Sequence, residues 1–174
     1  MNGGKRNKDE HISEGQSNFY GDVIAAVVTL NDPRSIDALM GSITTGGMAT
    51  RTLASFGKMA IDPVIKKLDH NDSLSRSAVA RTLSQMLENA DVSKDPVSKS
   101  KIKAALMRAG SDIDFSVRMS AIDGLVLLGD GQSIAIVERM AKADPFRADG
   151  IPGLEGRYPV RERAAAALKG RNQE

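Results

Sequence analysis

One aliphatic spacing recurs along this chain and constrains its fold more than any other feature. Ile36, Leu39, Met40 and Ile43 stand at relative positions 0, 3, 4 and 7, and Ile61, Val64, Ile65 and Leu68 repeat them. That spacing gathers four apolar side chains on one face of a helix. The segment Leu30 to Leu39 also overlays Leu128 to Val137, with Leu, Asp, Ser and Ile coinciding. A second element precedes each stripe. Arg76, Arg118 and Arg161 each have a small or aliphatic residue three positions on and leucine seven positions on. Those leucines, Leu83, Leu125 and Leu168, lie 42 and 43 residues apart. Recurrence at that period describes helix pairs that cannot bury their apolar face alone and must stack on their neighbours.

No segment alternates apolar and polar residues as a half-buried strand would, so the expected class is all-α. Helices are expected near residues 18–30, 33–44, 47–57, 60–68, 73–89, 96–109, 115–128, 132–142 and 159–169. Punctuation agrees: Asp32–Pro33 and Asp95–Pro96 place a capping residue before proline at the first helical position. Asp112 and Asp114 flank a helix start as caps, and Gly129 and Gly170 stand where left-handed residues end helices. Leu83, Leu125 and Leu168 are expected at buried seams. The methionines 40, 48, 59, 86, 107, 119 and 140 read as fillers of core gaps. Residues 1–17 read as a disordered polar tail, and 18–174 as one domain of about four helix pairs plus a closing helix. No apolar run has the length of a signal peptide core or a membrane span, which predicts a cytoplasmic protein without membrane contact.

The pattern resembles the HEAT repeat, especially the short bacterial and archaeal type also found in phycobilin lyases. Val117–Arg118 with Ala121, Leu125, Gly129, Asp130, Ile134 and Val137 carry the resemblance, joined by Val160–Arg161 with Ala164 and Leu168. Ala60–Ile61 with Pro63, Val64, Ile65 and Leu68 add a third instance. The second unit departs from the pattern, carrying Gly46 where the others have arginine. The resemblance implies an α-solenoid wound as a right-handed superhelical stack. It also implies that the recurrent arginines pair with acidic residues of a neighbouring repeat, and that second helices line a concave binding face.

Chemistry that would make the chain an enzyme is missing from the sequence. There is no cysteine, and the two histidines, His11 and His70, lie far apart in a polar tail and a turn. No serine has a nucleophile-elbow setting, and Gly46–Gly47 lacks the strand, lysine and hydroxyl of a phosphate loop. The expectation is a non-enzymatic scaffold that uses no cofactor and no metal and binds a protein or peptide, here an acidic one, along its concave face. The alternatives are a nucleic-acid-binding HEAT-like protein and a bilin-lyase-like protein. Twenty-four basic and 22 acidic residues leave a formal charge of +2, and aromatics are 3%, which weighs against nucleic acid.

Candidate contact residues follow from the second helices. Lys66 and Lys67, Lys99 and Lys103, and Arg139 and Lys142 place cations on three successive units. The segment from Asp144 to Tyr158, with three glycines and two prolines before Pro159, interrupts the pattern. Phe146 and Tyr158 anchor it either as a cover over the end of the array or as a partner contact.

Overall fold

The computed structural model describes residues 26, 30, 32–44 and 47–171. The 1–17 tail and most of the expected 18–30 helix lie outside the described residues, although Ala26 and Leu30 are both helical. Among the described residues every regular element is helical. They are α1 (Arg34–Gly41), α2 (Gly47–Ser55), α3 (Lys58–Lys66, extended by a 3-10 turn, Lys67–Asp69), α4 (Ser73–Met86), α5 (Ala90–Ser93), α6 (Pro96–Ala109), α7 (Phe115–Leu128), α8 (Gly131–Ala143) and α9 (Pro159–Arg171). No helix among them is long and apolar enough to cross a membrane.

The helix starts share one local device. Asp72, Asp95 and Asp130 each accept the backbone N–H of the serine three residues on, at 2.9, 2.9 and 3.3 Å. The same serines donate Oγ to the same carboxylates at 2.8, 2.5 and 2.8 Å. Asp114 does this with Ser116, at 2.8 and 2.6 Å. Each cap satisfies backbone donors that helix geometry leaves unpaired, a contribution of about 1 kcal/mol. Gly129 ends α7 at φ 69°, as its sequence position predicts. Gly170 does not end a helix: α9 runs through it to Arg171, and its backbone is not left-handed. The short α5 falls between two expected helices, where none is expected. Asn89 caps it by accepting the Asp91 N–H at 2.9 Å, and Val92 buries its whole side chain beneath it.

The longer helices form two sets. In the first, α2, α4, α7 and α9 pack side by side in that order; in the second, α1, α3, α6 and α8 do the same. The core lies between the sets and contains both aliphatic stripes: Ile36, Leu39, Met40 and Ile43, then Ile61, Val64 and Leu68, with Ile65 half-buried. Leu83 and Leu125 are fully buried. Leu168, expected to match them, is only half-buried, because α9 is the last described helix and no later one covers it. Met40, Met86 and Met140 lie in the core, but Met48 and Met59 are 46% and 41% exposed and fill nothing. They sit on outward faces of α2 and α3.

Helices α4 and α7 approach closely because small residues face each other. Ser77 and Ser120 meet Oγ to Oγ at 2.8 Å between α4 and α7. Further along the same seam, a Cβ on Gly124 would stand 2.4 Å from Ser84 Oγ and 2.6 Å from Leu106 Cδ1. Only a residue without a side chain allows that separation. The recurrent arginines tie the sets together. Arg76 donates Nε and Nη2 to Asp112 at 2.8 and 2.9 Å and Nη1 to the carbonyls of His70 and Asn71. Arg118 repeats the arrangement with Asp144 at 2.6 and 2.8 Å and the carbonyls of Asp112 and Ile113. The carboxylate comes from the turn after the second-set helix of the same unit, not from the neighbouring repeat that the resemblance implied. Asp112 therefore serves the ion pair, and Asp114 alone caps α7.

Candidate interaction surfaces

Of the six cations expected to form one track, Lys66, Lys99, Arg139 and Lys142 are exposed and Lys67 and Lys103 half-buried, and the helices do not gather them into one groove. Lys66 and Lys67 line a depression of about 750 Å³ at α3, shared with Asp37, Asp62, Asp69 and His70. Arg139 lines another, of about 460 Å³, and touches Ser111 Oγ at 3.5 Å. Lys99 and Lys142 stand exposed with no ion pair among the described residues. Lys103 differs: its Nζ lies 2.8 Å from Asp130, which caps α8, and its charge is spent inside the molecule. That lysine, with the Ser133 hydroxyl, holds the Asp130 carboxyl well below the usual carboxylate range. The face is further neutralised by Lys101–Asp62 at 2.8 Å, Arg108–Asp69 at 3.2 Å and Lys58–Asp95 at 3.5 Å.

Phe146 and Tyr158 use their rings within the fold. Phe146 is half-buried and stacks on Phe115 at the start of α7, with centroids 3.6 Å apart and planes 2° from parallel. Tyr158 lies beneath the Arg161 guanidinium, 4.0 Å from its ring centre. The segment between them is anchored at both ends: Asp144 holds Arg118, and the buried Ala148 donates its N–H to the Arg157 carbonyl at 2.9 Å. Asp144 and Ala148 are buried, whereas most of the residues between Ala148 and Tyr158 are exposed.

A groove of about 940 Å³ runs instead across the first set, on α4, α7 and α9. Its floor is one stripe of α7, where Met119 and Val126 are half-buried and Leu127 is 55% exposed. Ala167 continues this apolar strip on α9. Arg81 of α4 and Glu88 in the turn after it form one rim, and Arg163 and Arg171 of α9 the other. Arg163 binds Asp123 at 2.5 Å and Arg171 donates to the Gly129 carbonyl at 3.3 Å, whereas Arg81 has no ion pair among the described residues. The sequence carries a signal for this surface that the repeat pattern hides. Helix α7 is apolar beyond the stripe it buries, because Met119, Val126 and Leu127 add a second apolar face. A helix apolar on two faces is either buried all round or offers one face to something else.

Among the described residues no three His, Cys, Asp or Glu side chains converge as a metal site would require. His70 accepts the Asp72 N–H on Nδ1 at 3.2 Å and so stabilises its own turn, and His11 lies outside the described residues. Comparison of the chain with protein-family models, with curated proteins and with solved structures finds no match.

Proposed function

We propose that this chain is a non-enzymatic interaction module, a HEAT-like α-solenoid in a right-handed stack, that holds a protein segment along the groove of its first helices. The observation that carries the reading is the partly exposed apolar floor of α7, with Leu127 its most exposed residue, set between arginine-bearing rims. Apolar area open to water beside unpaired charge is the ordinary composition of a recognition surface. The first set is also the better choice for the inner, concave side. Its central helices α4 and α7 meet through serine and glycine, and the layer with the closer helices is the inside of a curved stack. The second-set cations Lys66, Lys67, Lys99, Arg139 and Lys142 then act at a distance, raising the association rate of an acidic partner more than its final affinity.

A random-peptide display selection tests this against the wild-type chain, Leu127→Glu, and a Lys66→Glu/Lys67→Glu/Arg139→Glu variant. The expected result is enrichment of peptides with apolar anchors and acidic residues, lost with Leu127→Glu and retained by the triple variant. Enrichment lost only with the triple variant would place recognition on the second set. Equal enrichment by all three refutes a site on either face. A mobility-shift series with duplex and single-stranded DNA across salt addresses the nucleic-acid alternative, for which affinity would fall steeply as salt rises.

A further inference from the structure

The groove on α4, α7 and α9 continues onto α2, where a depression of about 300 Å³ shares Gln85 and Glu88 with it. Two rows of side chains cross the stack there in register. Arg51, Arg81 and Asp123 stand two residues before the fully buried leucines of α2, α4 and α7, which are Leu53, Leu83 and Leu125. Ser55, Gln85 and Leu127 stand two residues after the same leucines. In the first row Asp123 is already taken by Arg163, at 2.5 Å. Arg51 and Arg81 are exposed, and among the described residues neither guanidinium has an ion pair or a hydrogen bond. In the second row Gln85 is half-buried, and its Oε1 is buried without a hydrogen-bond partner. Two free carboxylate-binding forks and one unpaired acceptor thus lie beside the apolar floor.

On the reading that this groove is the recognition site, spacing selects its occupant. Neighbouring packed helices stand about 8–10 Å apart. A polyproline II chain has three residues per turn at about 3.1 Å each, so it returns a side chain to the same face about every 9 Å, once per helix. We infer that an acidic segment of another protein lies across α2, α4 and α7 in this conformation. Carboxylates three residues apart take Arg51 and Arg81, a main-chain N–H reaches Gln85 Oε1, and an aliphatic residue three positions further on rests on Leu127. An α-helix crossing the stack would meet the same spacing with residues about seven apart, but its interior N–H groups are bonded within it and leave Gln85 unpaired. The polyproline II backbone has no internal hydrogen bonds, and the broad end torsion of a glutamine lets Oε1 turn to the groove. Glu88 stands seven residues beyond Arg81, about two turns along, and repels a carboxylate that slips out of the row. Single-stranded nucleic acid fits less well, since among the described residues no aromatic side chain lines either depression for bases to stack on. Residues 1–17 also fit less well: their acidic residues Asp9, Glu10 and Glu14 are matched by Lys5, Arg6 and Lys8.

The probes are the fluorescent peptide Glu-Pro-Ala-Glu-Pro-Ala-Leu, its reversed sequence, and a permuted form, Glu-Pro-Glu-Ala-Pro-Ala-Leu, whose carboxylates stand two apart. In anisotropy titrations with the whole protein, one of the first two should bind at least about tenfold tighter than the permuted form. Arg51→Gln and Arg81→Gln should each weaken that binding about tenfold. Of the two single Glu→Gln peptides, one should be indifferent to Arg51→Gln and the other to Arg81→Gln, whichever way the segment runs. Gln85→Met should weaken binding and yet raise the melting temperature, because it removes the unpaired acceptor. Both arginine variants should melt like wild type. The proposal is overturned if neither peptide binds at millimolar protein, if the permuted peptide binds equally, or if binding ignores both arginines. It is equally overturned if oligo-dT competes through the same arginines, which gives the site to nucleic acid. Competition by a peptide of residues 1–17 as strong as the probe's own gives the site to this chain and overturns it too. In each of these cases, display enrichment that Leu127→Glu abolishes leaves the groove reading standing and removes only this occupant.

Discussion

The seam between α4 and α7 makes Gly124→Ala a sharp test, because two opposing effects can be sized. Alanine in a helix interior is favoured over glycine by about 0.5–1 kcal/mol, since glycine loses more backbone freedom on folding. Against this, the new Cβ would meet Ser84 Oγ at 2.4 Å, Leu106 Cδ1 at 2.6 Å and Ser84 Cβ at 3.0 Å. The leucine methyl can rotate, but the hydroxyl is held by its bond to the Ala80 carbonyl at 3.0 Å and Ser84 Cβ is fixed to the α4 backbone, so the helices must separate. Overpacking of this kind costs about 1–3 kcal/mol. The net expectation is a loss of about 1 kcal/mol, or about 2–4 °C in Tm for a chain of this size. Gly170→Ala supplies the control: it is also helical, a Cβ there meets nothing within 4 Å, and stability should rise. Thermal and urea unfolding of both variants, with Gly124→Ala repeated in a Ser84→Ala background, completes the set. Removing the hydroxyl should recover at least about 0.5 kcal/mol, the coupling expected of residues in contact. A Gly124→Ala protein as stable as Gly170→Ala would refute the close approach, and with it the argument that the first set is the inner one.

Two further outcomes follow from the arginine pairs. Arg118→Gln leaves the Asp144 carboxylate, 5% exposed, without its partner; urea unfolding should show a loss of about 3–5 kcal/mol, partly recovered by adding Asp144→Asn. The Arg76 guanidinium lowers the Asp112 carboxyl below its ordinary value of 3.8, so the ionised form favours the fold. That stability is present above about pH 4 and is lost as pH falls further. Urea midpoints measured from pH 6 to pH 2.5 should therefore drop less steeply for Arg76→Gln than for wild type, and identical slopes would remove Asp112 from the account.

How much of this was legible in the chain depends on the range of the interactions involved. The all-helical class, the limits of α6 and α7 and the Asp95–Pro96 and Gly129 boundaries are local: caps and the 3.6-residue period act within a few positions, so spacing alone determines them, although at Asp32–Pro33 the helix starts one residue later, at Arg34. The internal recurrence likewise placed Leu83 and Leu125 in the core, because identical stripes on stacked helices have only one place to go. Short α5 escaped because Val92 is the one apolar residue that it buries, too little for a period to show. Candidate contact residues were the least legible. Lys103 reads as a free cation until α8 brings Asp130 to it across 27 positions, and nothing in the spacing shows that Arg161 rests on the Tyr158 ring. Which face of α7 is left open, and whether Leu168 is covered, depend on what packs beside each helix. A stripe in the sequence records that a face is apolar; only the arrangement of the other helices decides whether that face is filled or offered.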